Sequence, residues 1–260
     1  MGELLIGTCG YGRYRPPGEW KKRYRSKMHA YAAAFPVLEL NRTFYRLPRV
    51  ETAARWRREV AEGFEFTVKA WQGITHPTGS PTWRGRKQRL SPQQLENLGL
   101  LRPNDQVVDA WDRTREVARA LGARICLLQT PARFDCGGEN RRNMDRFFER
   151  IDRGGLQVAW EPRGEWSGRP ELVREMCRLH GLIHVVDLMR REPVCDNPIA
   201  YVRLHGLNER EYDYAYRYSA GELRDLAGRL KQLASCRERV YCMFNNTAMY
   251  ENASALMDLV

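Results

Sequence analysis

The chain has 260 residues, 43% of them hydrophobic, which is enough to bury a full core. Its apolar runs fall well short of the roughly 20 residues that a membrane-spanning helix needs. Residues 1–10 lack the basic lead and apolar core of a signal peptide. We therefore expect one domain, residues 1–260, in a cytoplasmic protein that does not enter a membrane.

The net charge is strongly positive, at +11. Lys and Arg number 43 against 32 Asp and Glu, and most of the cations are arginine, which binds phosphate in a planar fork. Such a surface predicts a polyanionic partner, either nucleic acid or another phosphorylated substrate. The segment 10–25 favours this prediction, because it interleaves Arg and Lys with Tyr and Trp. The alternative is that genome composition or a hot habitat explains the arginines.

Eight short apolar runs, each ending in a polar or charged residue, are spread along the chain with helix-forming stretches between most of them. The predicted strands are 4–7, 37–41, 64–69, 125–129, 157–163, 182–187, 200–205 and 240–246. Helices are predicted over 26–35, 51–61, 109–121, 139–151, 170–179, 219–234 and 247–260. This alternation predicts an α/β fold, a (β/α)8 barrel of the TIM type.

The stretch 71–108, which follows the third predicted strand, is too long for an ordinary barrel loop. It contains several prolines, which argue against one continuous helix. Because it starts at the carboxyl end of a strand, we predict that it is a lid that covers the mouth of the barrel and closes over substrate.

The seven cysteines show no CxxC pair and no spacing typical of metal ligands. We therefore expect reduced thiols rather than a disulfide framework. A cluster assembled from cysteines far apart in the sequence is the alternative.

Charged residues gather at the carboxyl ends of the predicted strands. Residues two apart on a strand share a face, one face of a barrel strand points inward, and TIM-type barrels carry their chemistry at this rim. The candidate catalytic residues are Glu39, Lys69, Glu161, Asp187 and His205. The candidate substrate-binding residues are Tyr11, Asn41, Tyr45, Gln129, Arg163, Arg203, Asn245 and Asn246. Only one of the two adjacent asparagines can face inward.

Three chemistries fit these residues. In the first, a divalent metal, Mn²⁺, Mg²⁺ or Zn²⁺, activates water or polarises a carbonyl. Its ligands would be Glu39, Glu161, Asp187 and His205. In the second, Lys69 forms a Schiff base with an aldehyde or ketone. In the third, two carboxylates form an acid/base pair, as in glycoside hydrolysis. The structural alternative is that the charges only pair with one another, Glu39 with Arg203 and Glu161 with Lys69.

Two motifs at the rim are specific: Glu39-x-Asn41-x-Thr-Phe-Tyr45 after the second strand, and Phe244-Asn-Asn-Thr247 after the eighth. Further short runs that carry the same resemblance lie at 6–11, 64–70, 127–131, 160–163 and 201–206. In these motifs, and over nearly its whole length, the chain resembles the YecE-like family, which is catalogued as domain of unknown function 72. The resemblance implies a TIM-type barrel and supplies no established activity.

The chain departs from that family's pattern at two places. It has Cys9-Gly10-Tyr11 where the family usually has Ser-Gly-Trp, and Glu161-Pro162-Arg163 where the family usually has Phe-Arg-His. The missing histidine weakens the case for a metal and leaves Glu161 with Arg163 as a pair suited to anions.

From these observations we expect an enzyme that cleaves a phosphorylated or nucleic-acid substrate, as a hydrolase or a lyase. Carboxylates would supply acid/base chemistry, while Arg and Lys would hold the anion. Two alternatives remain open: a sugar or sugar-phosphate enzyme of isomerase, aldolase or glycosidase type, and a barrel that binds nucleic acid without catalysis.

Overall fold

A computed structural model describes residues 1–84 and 90–260 of the chain. Its centre is a closed barrel of eight parallel strands, in which each strand pairs with its neighbours in sequence and β8 pairs with β1. The strands are β1 (Glu3–Thr8), β2 (Val37–Leu40), β3 (Glu65–Lys69), β4 (Ile125–Gln129), β5 (Gln157–Glu161), β6 (Ile183–Val186), β7 (Ile199–Leu204) and β8 (Arg239–Phe244). The predicted (β/α)8 barrel is confirmed.

Helices connect the strands on the outside of the barrel. They are α1 (Trp20–Arg23), α2 (Lys27–Ala32), α3 (Arg42–Tyr45), α4 (Val50–Arg58), α5 (Gln72–Thr75), α6 (Pro92–Asn97), α7 (Asp105–Leu121), α8 (Gly138–Arg150), α9 (Pro170–His180), α10 (Ala220–Ser235) and α11 (Met249–Met257). All seven predicted helices are present, with shifted ends. The sequence reading missed α1, α3, α5 and α6, because helices of four to six residues are too short to show a periodic pattern.

Helix ends follow local chemistry. α7 begins after Asn104, whose side chain accepts the Val107 N–H, and it ends at Gly122, which has a left-handed backbone. α10 begins with a capping box in which Ser219 and Glu222 satisfy each other's backbone N–H groups. Within the described residues, every helix is too short or too polar to cross a membrane.

The core has two layers. One fills the barrel interior with residues that include Leu5, Val37, Leu127 and Tyr241, and the other lies between the strands and the helices. Alternation along each strand divides its side chains between the two layers. The interior is therefore packed and not a pore, and inward-facing polar groups collect at the carboxyl ends of the strands.

Part of the predicted lid, 71–108, packs on the flank of the barrel, and its role as a lid over the mouth stays a prediction. The segment starts at the rim, but α5 and α6 both contact α7 on the flank of the barrel. Trp83 anchors this packing, because its ring is buried and its Nε1–H donates to the carbonyl of His76 at 3.1 Å. The part of the predicted lid at 85–89 lies outside the described residues.

Candidate active site

A buried ion pair crosses the barrel just below its mouth. Arg203 on β7 donates from Nη2 and Nε to the two carboxylate oxygens of Glu39 on β2, at 2.8 and 3.0 Å. The same guanidinium donates from Nη1 to Glu161 on β5. Both Arg203 and Glu39 have 0% exposure. This agrees with the predicted pairing of Glu39 with Arg203 and places Arg203 too deep to touch a substrate.

Lys69, at the end of β3, lies beside this pair. Its Nζ donates to Oε1 of Gln129, whose Nε2 donates to Glu161 Oε1 at 3.1 Å. The predicted pair of Lys69 with Glu161 is therefore bridged by an amide. Burial, reinforced by the positive charge of Arg203, lowers the pKa of Lys69 to about 7. At neutral pH a substantial fraction of this amine is then unprotonated and nucleophilic.

Glu161 is the carboxylate on which the cluster converges. Besides the contacts with Arg203 and Gln129, its Oε1 accepts from Nε and Nη2 of Arg163 at 3.0 and 2.9 Å. Burial alone would raise the pKa of Glu161, but Arg203 and Arg163 outweigh it and hold the pKa well below its usual range. Glu161 is therefore ionised at neutral pH, as a charge partner or base rather than a resting acid.

Asp187 and His205 form a second, linked group. Asp187 accepts the backbone N–H of His205 at 3.0 Å and that of Met189 at 3.1 Å. Burial raises the pKa of Asp187 to about 6 and lowers the pKa of His205 to about 3. The imidazole is thus neutral, and its Nδ1 has no hydrogen-bond partner among the described residues. Asp187 can exchange a proton near neutral pH.

The four predicted metal ligands do not fit a metal centre. Both oxygens of Glu39 face Arg203, and one of them also accepts from the Tyr201 hydroxyl at 2.9 Å. A cation at that position would replace a guanidinium that already neutralises the carboxylate. In the described part of the chain, no three His, Cys, Asp or Glu side chains come together as metal ligands. The arrangement of these four side chains therefore argues against a metal site formed by them.

The loop between β7 and α10 covers part of the mouth of the barrel. The ring of Tyr212 lies 3.7 Å from the guanidinium carbon of Arg163 and 5.7 Å from the imidazole of His205. Tyr214 contacts the other side of the imidazole, at 5.6 Å between centroids. Tyr218 anchors the loop, because its hydroxyl accepts the N–H of Gly206 at 2.9 Å. The loop consequently shields much of the charged cluster from bulk water, although the Arg163 side chain keeps 16% exposure.

The remaining predicted site residues divide between the rim and the periphery. Asn41 and Asn245 meet at the rim, with Nδ2 of Asn41 3.5 Å from Oδ1 of Asn245. Asn246 turns away and bonds to Asn252 and to the Tyr216 carbonyl, at 2.9 and 2.8 Å. Both bonds are donated by Nδ2 and hold the loop and the last helix, whereas its side-chain oxygen has no partner among the described residues, so its role in binding substrate stays a prediction.

Tyr11 and Tyr45 also lie apart from the charged cluster. Tyr11 packs edge-on against Tyr31, with ring centroids 6.5 Å apart. Tyr45 is 42% exposed and lines a separate cleft on the barrel flank. The sequence reading missed Phe44, whose ring centroid lies 4.1 Å from Lys69 Nζ. The Thr-Phe-Tyr motif indicated an aromatic residue near the site, but it did not show which of the two rings faces the amine of Lys69.

All seven cysteines lie within the described residues and are free thiols. Cys9, at the end of β1, is buried beside Arg203, and burial, with the nearby charge of Glu39, raises its pKa well above the usual range. A thiol in this state is a poor nucleophile.

Comparison with known proteins shows what this chain is similar to. Residues 5–260 match the family described as "Protein of unknown function DUF72". The UPF0759 protein YunF of Bacillus subtilis (strain 168) is 25% identical, over 99% of this chain and 94% of its own. A solved DUF72 family protein from Thermotoga maritima MSB8 has a TM-score of 0.71 at 23% identity, covering 99% of this chain and 98% of its own. One from Enterococcus faecalis V583 has a TM-score of 0.71 at 20% identity, covering 100% and 98%.

More distant barrels share the fold alone. A D-tagatose 3-epimerase-like protein has a TM-score of 0.58 at 14% identity, covering 98% of this chain and 96% of its own. An AP endonuclease of family 2 from Brucella melitensis has a TM-score of 0.54 at 14% identity, covering 99% and 98%. The match across almost the entire sequence establishes that this chain belongs to the DUF72 family.

Proposed function

We propose that the protein is a lyase that forms a Schiff base between Lys69 and the aldehyde or ketone of a phosphorylated sugar. The observation that carries this proposal is the state of Lys69: a buried amine at the mouth of the barrel whose pKa lies at about 7. Schiff-base lysines are activated by desolvation and by neighbouring cations, and both operate here.

The reaction begins with the unprotonated Nζ of Lys69 attacking the carbonyl carbon to give a carbinolamine, which loses water and becomes an iminium. A base then removes a proton from the carbon next to the iminium carbon, and the electron pair of that C–H bond moves into the iminium to give an enamine. Asp187, whose pKa lies at about 6, is a group of the site that can accept this proton at neutral pH. The enamine expels the oxygen substituent on the following carbon, which leaves with the electron pair of its C–O bond and gives an unsaturated iminium. Addition of water to the iminium carbon releases the unsaturated carbonyl product and restores the amine.

The charges around Lys69 favour an anionic substrate. The connected network contains two arginines, Arg163 and Arg203, two carboxylates, Glu39 and Glu161, and Lys69, whose nitrogen regains a positive charge when the iminium forms. When neutral Lys69 forms the imine, the two arginines stay protonated and keep their positive charges. Arg163, at the edge of the network, is the cation placed to meet a phosphate.

The substrate carbonyl has two plausible sources with the same chemistry: a free sugar phosphate, or the aldehyde of an abasic site in a nucleic-acid strand. The fold is shared with proteins named as a D-tagatose 3-epimerase-like protein and an AP endonuclease, so sugar and nucleic-acid chemistry both occur on this architecture. The competing hypothesis is a hydrolase that uses no Schiff base. The lowered pKa of Lys69 does not favour it, because such an enzyme needs no unprotonated amine.

Borohydride trapping tests the proposal. The protein is incubated with glyceraldehyde 3-phosphate, ribose 5-phosphate or an abasic-site oligonucleotide, reduced, and analysed by intact-mass and peptide mass spectrometry. We expect an adduct on Lys69 that is lost in Lys69→Arg and kept in Lys22→Arg, a matched change at an exposed lysine. No adduct with any of the three compounds, or an adduct that survives Lys69→Arg, would overturn the proposal.

A further inference from the structure

A second concave site lies on the flank of the barrel, outside the charged cluster. It is a cleft of about 810 Å³ between α3, α6 and α7. Its lining includes Arg42, Arg46, Tyr45, Trp71 and Arg113. We propose that this cleft binds an unpaired nucleotide of a single-stranded nucleic acid.

The composition of the cleft carries the first part of the argument. Arg42, Arg46 and Arg113 are exposed, and Asp109 is the one acidic residue among the described lining residues. Tyr45, with 42% of its surface exposed, and the partly exposed Trp71 offer aromatic rings next to these cations. Aromatic rings together with a positive groove are the combination that binds single strands, because each base stacks while its phosphate meets an arginine.

An unsatisfied polar atom inside the cleft favours a nucleotide base, rather than a bare phosphate, as the ligand. Gln106 on α7 lines the cleft, and its side-chain oxygen is buried without a hydrogen-bond donor among residues 1–84 and 90–260. A buried acceptor without a donor is costly. The amino and ring N–H groups of a base supply the kind of donor that this oxygen lacks, whereas a phosphate supplies only acceptors.

The position of the cleft links it to Lys69. Phe44 separates the two sites: its ring centroid is 4.1 Å from Lys69 Nζ and 5.0 Å from the ring centroid of Tyr45. The stacking surface of Tyr45 is thus separated from the amine by the single ring of Phe44. Taken with the proposed function, on which this step rests, the cleft selects the nucleic-acid source of the carbonyl, an abasic site next to the bound nucleotide.

Fluorescence anisotropy with labelled 12-nucleotide single strands of DNA and RNA, and with a 12-base-pair duplex, tests the cleft. We expect single strands to bind more tightly than the duplex, since a paired base cannot enter and stack. Tyr45→Ala should weaken single-strand binding at least about fivefold, the low end for loss of one stacked base, and Tyr45→Phe should restore it. Arg46→Gln should lower the salt dependence of binding by about 0.7 in log–log slope, as for one phosphate contact.

Arg224→Gln is the matched control, because it removes the same charge from the exposed face of α10, on another side of the barrel. The proposal is overturned if Tyr45→Ala binds like the parent protein, if Arg46→Gln and Arg224→Gln have equal effects, or if no strand binds at low salt. These binding results can be distinguished from the results of borohydride trapping. Trapping of the abasic-site oligonucleotide that is unchanged in Tyr45→Ala would leave Lys69 chemistry intact while refuting the cleft, and binding of single strands without any trapping would do the reverse.

Discussion

Arg203 and Glu39 form an ion pair in which both side chains are inaccessible to solvent, with two hydrogen bonds of 2.8 and 3.0 Å between β7 and β2. The pair joins opposite sides of the barrel just below the candidate site. Its burial means that neither partner can be removed without leaving the other uncompensated in a medium of low polarity.

The first prediction concerns this pair. Glu39→Ala should lower the free energy of unfolding by about 3–5 kcal/mol, the cost of breaking a buried pair, because Arg203 keeps only Glu161 as a counter-charge. Urea denaturation measures this cost. The exposed pair of Arg229 with Asp225 is the control, and Asp225→Ala should cost about 0.5 kcal/mol or less. Equal losses in the two variants would contradict the assignment.

The second prediction is a pH dependence. The lowered pKa of Lys69, at about 7, means that its reactive neutral form grows as pH rises through 7, whereas exposed lysines deprotonate near pH 10. Reductive alkylation with acetaldehyde and cyanoborohydride, followed by peptide mapping, should show labelling of Lys69 that levels off above pH 8. Labelling of a short lysine peptide added to the same reaction should still rise there. Parallel profiles for Lys69 and the peptide would refute a depressed pKa at Lys69.

The third prediction concerns access. Tyr212 covers Arg163 and His205, so Tyr212→Ala should open the mouth and increase the rate at which acetaldehyde labels Lys69 several-fold. Tyr212→Phe keeps the ring over the guanidinium and should label at the parental rate. If all three proteins label at one rate, the loop between β7 and α10 does not limit entry to the site.

The fourth prediction concerns how that loop is held. Gly206 has a φ of +109°, and a Cβ at this position would lie 2.4 Å from Cβ of Tyr216. Gly206→Ala should therefore destabilise the protein more than Gly181→Ala, where φ is +58° and, among the described residues other than its chain neighbours, no atom lies within 4 Å of the added carbon. We expect about 1 kcal/mol for the second variant, from backbone strain alone. Urea denaturation of both variants is the test, and equal costs would argue against the close contact with Tyr216.

The sequence by itself determined the architecture and most of the rim. Strand periodicity is a local property, and a polar residue that ends an apolar run shows where the chain leaves the barrel core. For that reason the eight strands, and the placement of Glu39, Lys69, Glu161 and Arg203 at one end of the barrel, could be predicted. The short helices could not, because four to six residues carry too few positions for a pattern.

Only the tertiary structure decided which of these groups are available for chemistry. Arg203 and Glu39 are 164 positions apart, and nothing local to either shows that each saturates the other and is thereby withdrawn from substrate or metal. The covering loop depends likewise on Tyr212 reaching Arg163 from a different strand. The pKa of Lys69 follows from burial and from cations brought in by other strands. Electrostatic effects act through space, so the sequence names the charged groups while the fold sets their charge states.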